Sequence, residues 1–300
     1  MAYGGKDLAV LSSASLIAQQ LLEDRGIPRD RISSADLLHV YRDLAVVFPF
    51  ADLRQAEGML QSVKPPPVNN DPAQYLGIII ETRKHHALET VVENVLDACG
   101  IPIQLFHGKM NREFILSTRI AELADRGKVI LSALDAEHLQ QSEYNALLMS
   151  PRFWELLCGR GKVLVFQTDS LCCRQSKYRL EDFSDFDYIG CTWGRRRPVG
   201  LVIDGGVGGF SLRDWAISVQ CLARFDPSLW PGGEDGYFAF HMDLIGARVA
   251  NPEESGRFGT QDYFLDKSFG GHRVGLLEPA ELEAFMQYCP EAGKVFPGLA

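Results

Sequence analysis

Val163-Leu164-Val165-Phe166-Gln167-Thr168-Asp169-Ser170 is the stretch on which the reading of this 300-residue chain turns. Four consecutive apolar residues read as a buried strand, and a polar tail follows at once. Three more runs share that design: Leu76 to Ile80, Ile103 to Phe106 and Val129 to Leu131. Between them lie amphipathic segments that predict helices from His85 to Cys99, from Asn111 to Asp125 and from Gln140 to Met149. Gly100 and Gly127 close the first two as C-caps. Short apolar runs alternating with helices predict a sheet covered on both faces.

Downstream the strict alternation fails. Phe183 to Trp193 is aromatic and acidic, 204 to 209 is glycine-rich, and Glu278 to Cys289 again reads as a clear helix. Upstream, three helices are expected: one carrying Leu8, Leu11, Ala18, Leu21 and Leu22 and stopping at Gly26; one from Ser33 with Leu37, Tyr41, Leu44 and Phe48; one from Asp52 to Val63. Asp36, three residues after Ser33, makes a weak capping box. Pro65-Pro66-Pro67-Val68-Asn69-Asn70-Asp71-Pro72 cannot continue a helix. It divides a helical accessory region, 1 to 70, from an α/β domain, 71 to 300. The accessory helices leave three roles open: a homodimer interface, a cover over an acceptor groove, or a dock for a carrier protein.

Composition narrows the function. Thirty Lys and Arg against 39 Asp and Glu give 30 − 39 = −9, which argues against a broad face for nucleic acid. The seven cysteines form no C-x-x-C pair and are odd in number, so neither a zinc knuckle nor a complete disulfide framework follows. Free cysteines in apolar stretches fit a reducing, cytoplasmic setting. Leu8 to Ala18 is not read as a signal peptide, because serines interrupt it and the helical pattern continues through Asp24. No apolar run reaches the roughly 20 residues that span a bilayer.

In open α/β sheets ligands collect beyond the carboxyl ends of the strands, so the residues after each run matter first. These are Glu81-Thr82-Arg83, His107-Gly108-Lys109 and Gln167-Thr168-Asp169-Ser170. Any one set serves as a helix cap, whereas three at one edge favour a ligand site. Asp169 is a carboxylate placed to hold a hard divalent cation beside a diphosphate. Asp204-Gly205-Gly206-Val207-Gly208-Gly209-Phe210-Ser211-Leu212-Arg213 puts glycines where backbone approaches a ligand or turns, and then an amphipathic helix is expected. It lacks the G-x-G-x-x-G spacing of a dinucleotide site. Gly232-Gly233-Glu234-Asp235-Gly236-Tyr237-Phe238 sets two carboxylates at a helix start, suited either to capping or to general-base work.

Taken in order, Phe166-Gln167-Thr168-Asp169-Ser170, Asp187-Tyr188-Ile189-Gly190-Cys191-Thr192-Trp193, Gly208-Gly209-Phe210-Ser211-Leu212-Arg213 and Glu234-Asp235-Gly236-Tyr237-Phe238 resemble glycosyltransferases of the GT-A fold. More narrowly, the chain resembles a glycosyltransferase-like family of bacteria and fungi, a domain of unknown function. The match takes in Ile80-Glu81-Thr82-Arg83, Phe106-His107-Gly108 and the stretch Tyr144 to Trp154, and covers about 75 to 275. It leaves the N-terminal helices unexplained.

The resemblance implies a GT-A-like, Rossmann-like mixed sheet flanked by helices. It also implies transfer of a sugar from a nucleoside diphosphate, a UDP-sugar ahead of GDP- and dTDP-sugars, to an unidentified acceptor hydroxyl with inversion. In such enzymes a D-x-D motif binds Mn²⁺ or Mg²⁺ through its last Asp and reaches the ribose through its first. The matching residues are Asp169 and Gln167, and Gln167 departs from the pattern because an amide adds no charge to a cation. His272 matches the histidine that completes the metal site, or is a solvated loop residue. Asp235 matches the general base, with Glu234 as the alternative. Thr82, Arg83 and His107 fall on the nucleotide-sugar side. Gly208, Gly209 and Trp193 fall on the acceptor side, Trp193 serving to stack on a sugar or simply to pack the core.

Two other classes compete. One is a catalytically degenerate relative that binds a nucleotide or glycan, which Gln167 favours. The other is a metal-dependent phosphoester hydrolase, which would need a denser carboxylate cluster. Arg195-Arg196-Arg197 steers an anion or is a solvated loop, His85-His86 starts a helix, and Cys172-Cys173 has no activating base.

Overall fold

The apolar runs fold as strands at the predicted places. The computed structural model describes residues 20, 22–43, 51–71, 74–193, 204–265 and 267–299. Among these the strands are β1 (Tyr75–Glu81), β2 (Ile103–His107), β3 (Val129–Ala133), β4 (Lys162–Phe166), β5 (Ser170–Cys172), β6 (Tyr188–Cys191), β7 (Val207–Asp214), β8 (Gly259–Thr260) and β9 (Gly270–His272). Six make one sheet in the order β3-β2-β1-β4-β7-β6, and β5-β9-β8 make a second, smaller one. Strands β1 to β4 are parallel, with Ile80 opposite Phe106 and Gly77 opposite Leu164. β7 then runs antiparallel to β4 and to β6. The molecule is thus a mixed α/β sheet flanked by helices, with the parallel half wound in the Rossmann order.

Alternation along the strands explains the two apolar layers. Ile78, Ile80, Val163 and Val165 face one cluster, whereas Ile79, Leu164 and Phe166 face the other. Leu37, Val40 and Tyr41, from the helix Ser34–Asp43, lie in the first cluster with Trp154, Trp230 and Phe240. Ala56, Met59 and Leu60, from the helix Leu53–Leu60, join them. The Tyr41 hydroxyl donates to His241 Nε2 at 2.7 Å, because His241 Nδ1 is spent on the Tyr237 carbonyl. Burial lowers the His241 pKa to about 3 and keeps the ring neutral.

Several predicted boundaries shift for local reasons. The segment from Asn111 to Asp125 is two helices, Arg112–Leu116 and Arg119–Asp125, because the Thr118 side chain accepts from Ile120 N and starts a new one. The helix expected from His85 begins at Leu88 and ends at Gly100, whose φ of 66° supplies the left-handed C-cap. The glycine-rich segment does not lead into a helix near Arg213. It enters β7, and the helix waits until Trp215, where Asp214 caps by accepting from Ile217 N. Most of the first expected helix, Leu44, Phe48 and the arginines 195 to 197 lie outside the described residues.

Candidate functional site

The sheet order reverses between β1 and β4, and an open sheet leaves a crevice at such a switch. A cleft of about 280 Å³ occupies it, lined by Thr82 and Arg83 after β1, Gln167, Thr168 and Asp169 after β4, and Tyr144 and Arg273. Glu81, Thr82, Arg83, Gln167, Thr168 and Asp169, singled out from sequence, therefore meet, whereas His107, Gly108, Lys109 and Ser170 do not line the cleft. His107, the last residue of β2, is buried, and its Nδ1 donates to the Gly108 carbonyl at 2.9 Å.

At the β4 end, Asp169 Oδ1 stands 3.2 Å from His272 Nε2, and Asp169 Oδ2 stands 3.8 Å from Arg273 Nε. β5 and β9 bring these groups together, pairing Ser170 with His272. Burial pushes the Asp169 carboxyl up, but the His272 hydrogen bond and the Arg273 charge outweigh it and hold the pKa below the usual 3.8. His272 Nδ1 faces Gln261 Oε1, and its Nε2 also faces Gln167 Oε1 at 3.2 Å.

The divalent cation implied by the resemblance does not fit this arrangement. His272 Nε2 faces two oxygens, Asp169 Oδ1 and Gln167 Oε1, each at 3.2 Å. Asp169 is the single carboxylate of the triplet and already has Arg273 beside it. No cluster of three His, Cys, Asp or Glu that could hold a metal occurs among the described residues.

The other end of the site is built on Gly208 and Gly209. A Cβ on Gly208 would collide with Glu234 Oε1 and Arg213, and one on Gly209 with the His272 ring and Gln167. Glycine is needed at both for packing, since β7 passes directly between two polar clusters. Glu234 and Asp235 open the helix Glu234–Leu244, as expected. Glu234 is fully engaged in an ion pair with Arg213 Nη1, and both side chains are nearly inaccessible. Burial pushes the Glu234 carboxyl up despite the Arg213 charge.

Asp235 is different. Its Oδ1 accepts from Gly236 N at 2.8 Å and its Oδ2 lies 3.4 Å from Gly208 N. Burial raises its pKa above 3.8, with those N–H groups and the Arg213 charge pulling the other way. A carboxylate that is desolvated, hydrogen-bonded and not ion-paired among the described residues is suited to take a proton.

Several residues take parts that the sequence reading did not assign to them. Glu81, buried at the end of β1, accepts from Arg83 N, Nε and Nη2 and from Thr168 Oγ1, and so fixes the Arg83 guanidinium. Its position one residue before Thr82 was the available signal. Tyr144 lines the cleft, yet its buried hydroxyl has no hydrogen-bond partner among the described residues. Arg213 carries the same kind of orphan at Nη2. Arg273 takes a left-handed backbone, φ 49°, which nothing in a lone Arg announces. Trp193, after β6, is half-buried, with an Nε1 that likewise lacks a partner among the described residues.

Comparison with known proteins gives likenesses. A family model described as "Protein of unknown function (DUF5672)" matches residues 129–272, from β3 through β9. No curated protein matches the sequence. Among solved structures, the chain is similar to one titled "WbbM bifunctional glycosytransferase apo structure", at 10% identity and a TM-score of 0.43, over 78% of this chain and 53% of that one. The chain thus spans about half of that protein's length. It is also similar to a putative glucose-1-phosphate thymidylyltransferase from Bacillus anthracis in complex with a sucrose, at 12% identity and a TM-score of 0.38, over 59% of this chain and 86% of that one.

Proposed function

We propose that the chain is a glycosyltransferase that moves a sugar from a nucleoside diphosphate to an acceptor hydroxyl with inversion. One observation carries the reading. Gly208 and Gly209 are neighbours on β7, one against Asp235 and the other against His272 and Gln167, so a base and the strand-end cleft stand one residue apart. That separation suits a sugar seated on the glycines, with its diphosphate toward Asp169 and the acceptor toward Asp235.

The chemistry follows from those positions. Asp235 takes the proton of the acceptor hydroxyl as its oxygen attacks the anomeric carbon. The bond from that carbon to the β-phosphate oxygen breaks, and its electron pair leaves with the diphosphate. Glu234, held by Arg213, is the weaker candidate for base, since proton uptake would break a buried ion pair. Thr82 and Arg83 lie where a nucleotide would enter, and Trp193 remains the acceptor-side candidate.

The test is donor turnover. UDP-, GDP- and dTDP-sugars are incubated with the full chain and nucleotide release is measured. Release with one donor, lost in Asp235→Asn, is the expected result. Failure of every donor to bind or turn over, or full activity in Asp235→Asn, overturns the mechanism. Binding without release favours the non-catalytic alternative.

A further inference from the structure

We infer that Arg83 and Arg273 hold the departing diphosphate and do the work given to a divalent cation in the implied mechanism. The inference rests on the nucleotide-sugar reading and deepens it. Both side chains line the same cleft, 63% and 58% exposed, from opposite sides of the switch point. Their carboxylate partners lie further in, Glu81 at 5% and Asp169 at 40% exposure. Glu81 therefore sits behind Arg83, whereas Asp169 shares the cleft lining with Arg273, whose charge offsets it for an incoming phosphate.

Neither cation is loose. Arg83 Nε and Nη2 donate to the two Glu81 oxygens at 2.9 and 2.8 Å, a side-on fork that fixes the plane and leaves Nη1 for a ligand. Arg273 N donates to the Asp169 carbonyl at 2.9 Å, which pins a left-handed residue at the cleft rim. Backbone held in a sparsely populated region by its surroundings is a mark of functional sites. When the anomeric bond breaks, its electron pair passes to the β-phosphate oxygen, and the guanidinium N–H groups take the growing charge as hydrogen bonds. The guanidinium groups give up no proton in that step, and the acceptor proton goes to Asp235.

Calorimetric titration of the full chain with UDP, GDP, dTDP and inorganic pyrophosphate, in EDTA and again in Mn²⁺, tests this. At least one probe is expected to bind with Kd values that agree between the two buffers within about threefold, since the arginines do not depend on metal. Arg273→Gly keeps the left-handed turn, which glycine adopts freely, and is expected to weaken binding at least about tenfold. Arg83→Lys, which loses the fork, is expected to weaken it by a similar factor of about ten. A melting curve for each variant verifies the fold. Binding that requires Mn²⁺, or variants that bind like the parent chain, overturns the inference and leaves the glycosyltransferase reading standing. No binding of any probe in either buffer overturns both.

Discussion

Arg213 and Arg273 are the same residue type beside an acidic side chain, and the fold treats them in opposite ways. Arg213 is wholly buried in β7, bonded to Glu234 and flanked by the rings of Tyr188 and Phe238 at 5.2 and 5.1 Å. Arg273 stands half in water, 3.8 Å from Asp169. The first charge is bound to its partner and shapes the field at Asp235. The second keeps enough exposure to meet a ligand. The difference separates architecture from chemistry within one site.

The sharpest way to break that comparison is Arg213→Met. Removing one member of a buried pair leaves a carboxylate uncompensated, and about 3–5 kcal/mol of stability should go, read from urea unfolding. The double change Arg213→Met, Glu234→Leu should recover most of it. A single variant as stable as the parent would make Arg213 no more structural than Arg273.

Asp235→Asn should lower kcat by about 10²- to 10⁴-fold while unfolding changes little. Its pKa is raised in the fold, so the acid limb of kcat/KM should lie above the ordinary 3.8. The sign for stability runs with that shift. The raised carboxyl favours the fold below its unfolded pKa, and this contribution is lost as pH rises through the folded value. Asparagine never ionises, so the variant should be no less stable than the parent at pH 7.

Gly208→Ala and Gly209→Ala sharpen the comparison from the backbone. Each added methyl meets packed side chains and should cost about 1–3 kcal/mol, by thermal or urea unfolding. Gly208→Ala pushes on Glu234 and Asp235 and should disturb the pH profile, whereas Gly209→Ala pushes on His272 and Gln167 and should disturb nucleotide affinity. The smallest effect belongs to Arg273→Gly, whose stability should stay within about 1 kcal/mol of the parent, because relief of the left-handed backbone offsets the freedom that glycine adds to the unfolded chain.

The parallel half of the sheet was legible because its strands are short apolar runs with sequence-local boundaries. Thr82, Arg83, Gln167 and Asp169 were found by the rule that strand ends face the crevice, and they meet there. The antiparallel half was not legible. Glycines in β7 resemble a loop until Arg213 and His272 are seen packed on either side of it. Glu81 was named with its triplet but given no role, because a carboxylate beside an arginine gives no sign, in one dimension, that it clamps the guanidinium. The helix break at Thr118 was missed because its side chain bonds its own backbone, a local competition that an apolar pattern does not register.

The proline-rich stretch acquires another meaning once the bridge from Asn69 to Gly159 is considered. Asn69 N donates to the Cys158 carbonyl at 2.8 Å, and Arg160 N donates back to the Asn69 carbonyl at 3.1 Å. Pro65 to Pro67 therefore act as a strap stitched to the loop that enters β4, rather than as a hinge. Removing the helices before it would uncover Trp230 and Phe240, against which Tyr41 packs at 5.5 and 6.3 Å, and so expose a face of the helix that carries Asp235. The helix that carries Asp235 is thus backed by residues from the far side of the proline stretch.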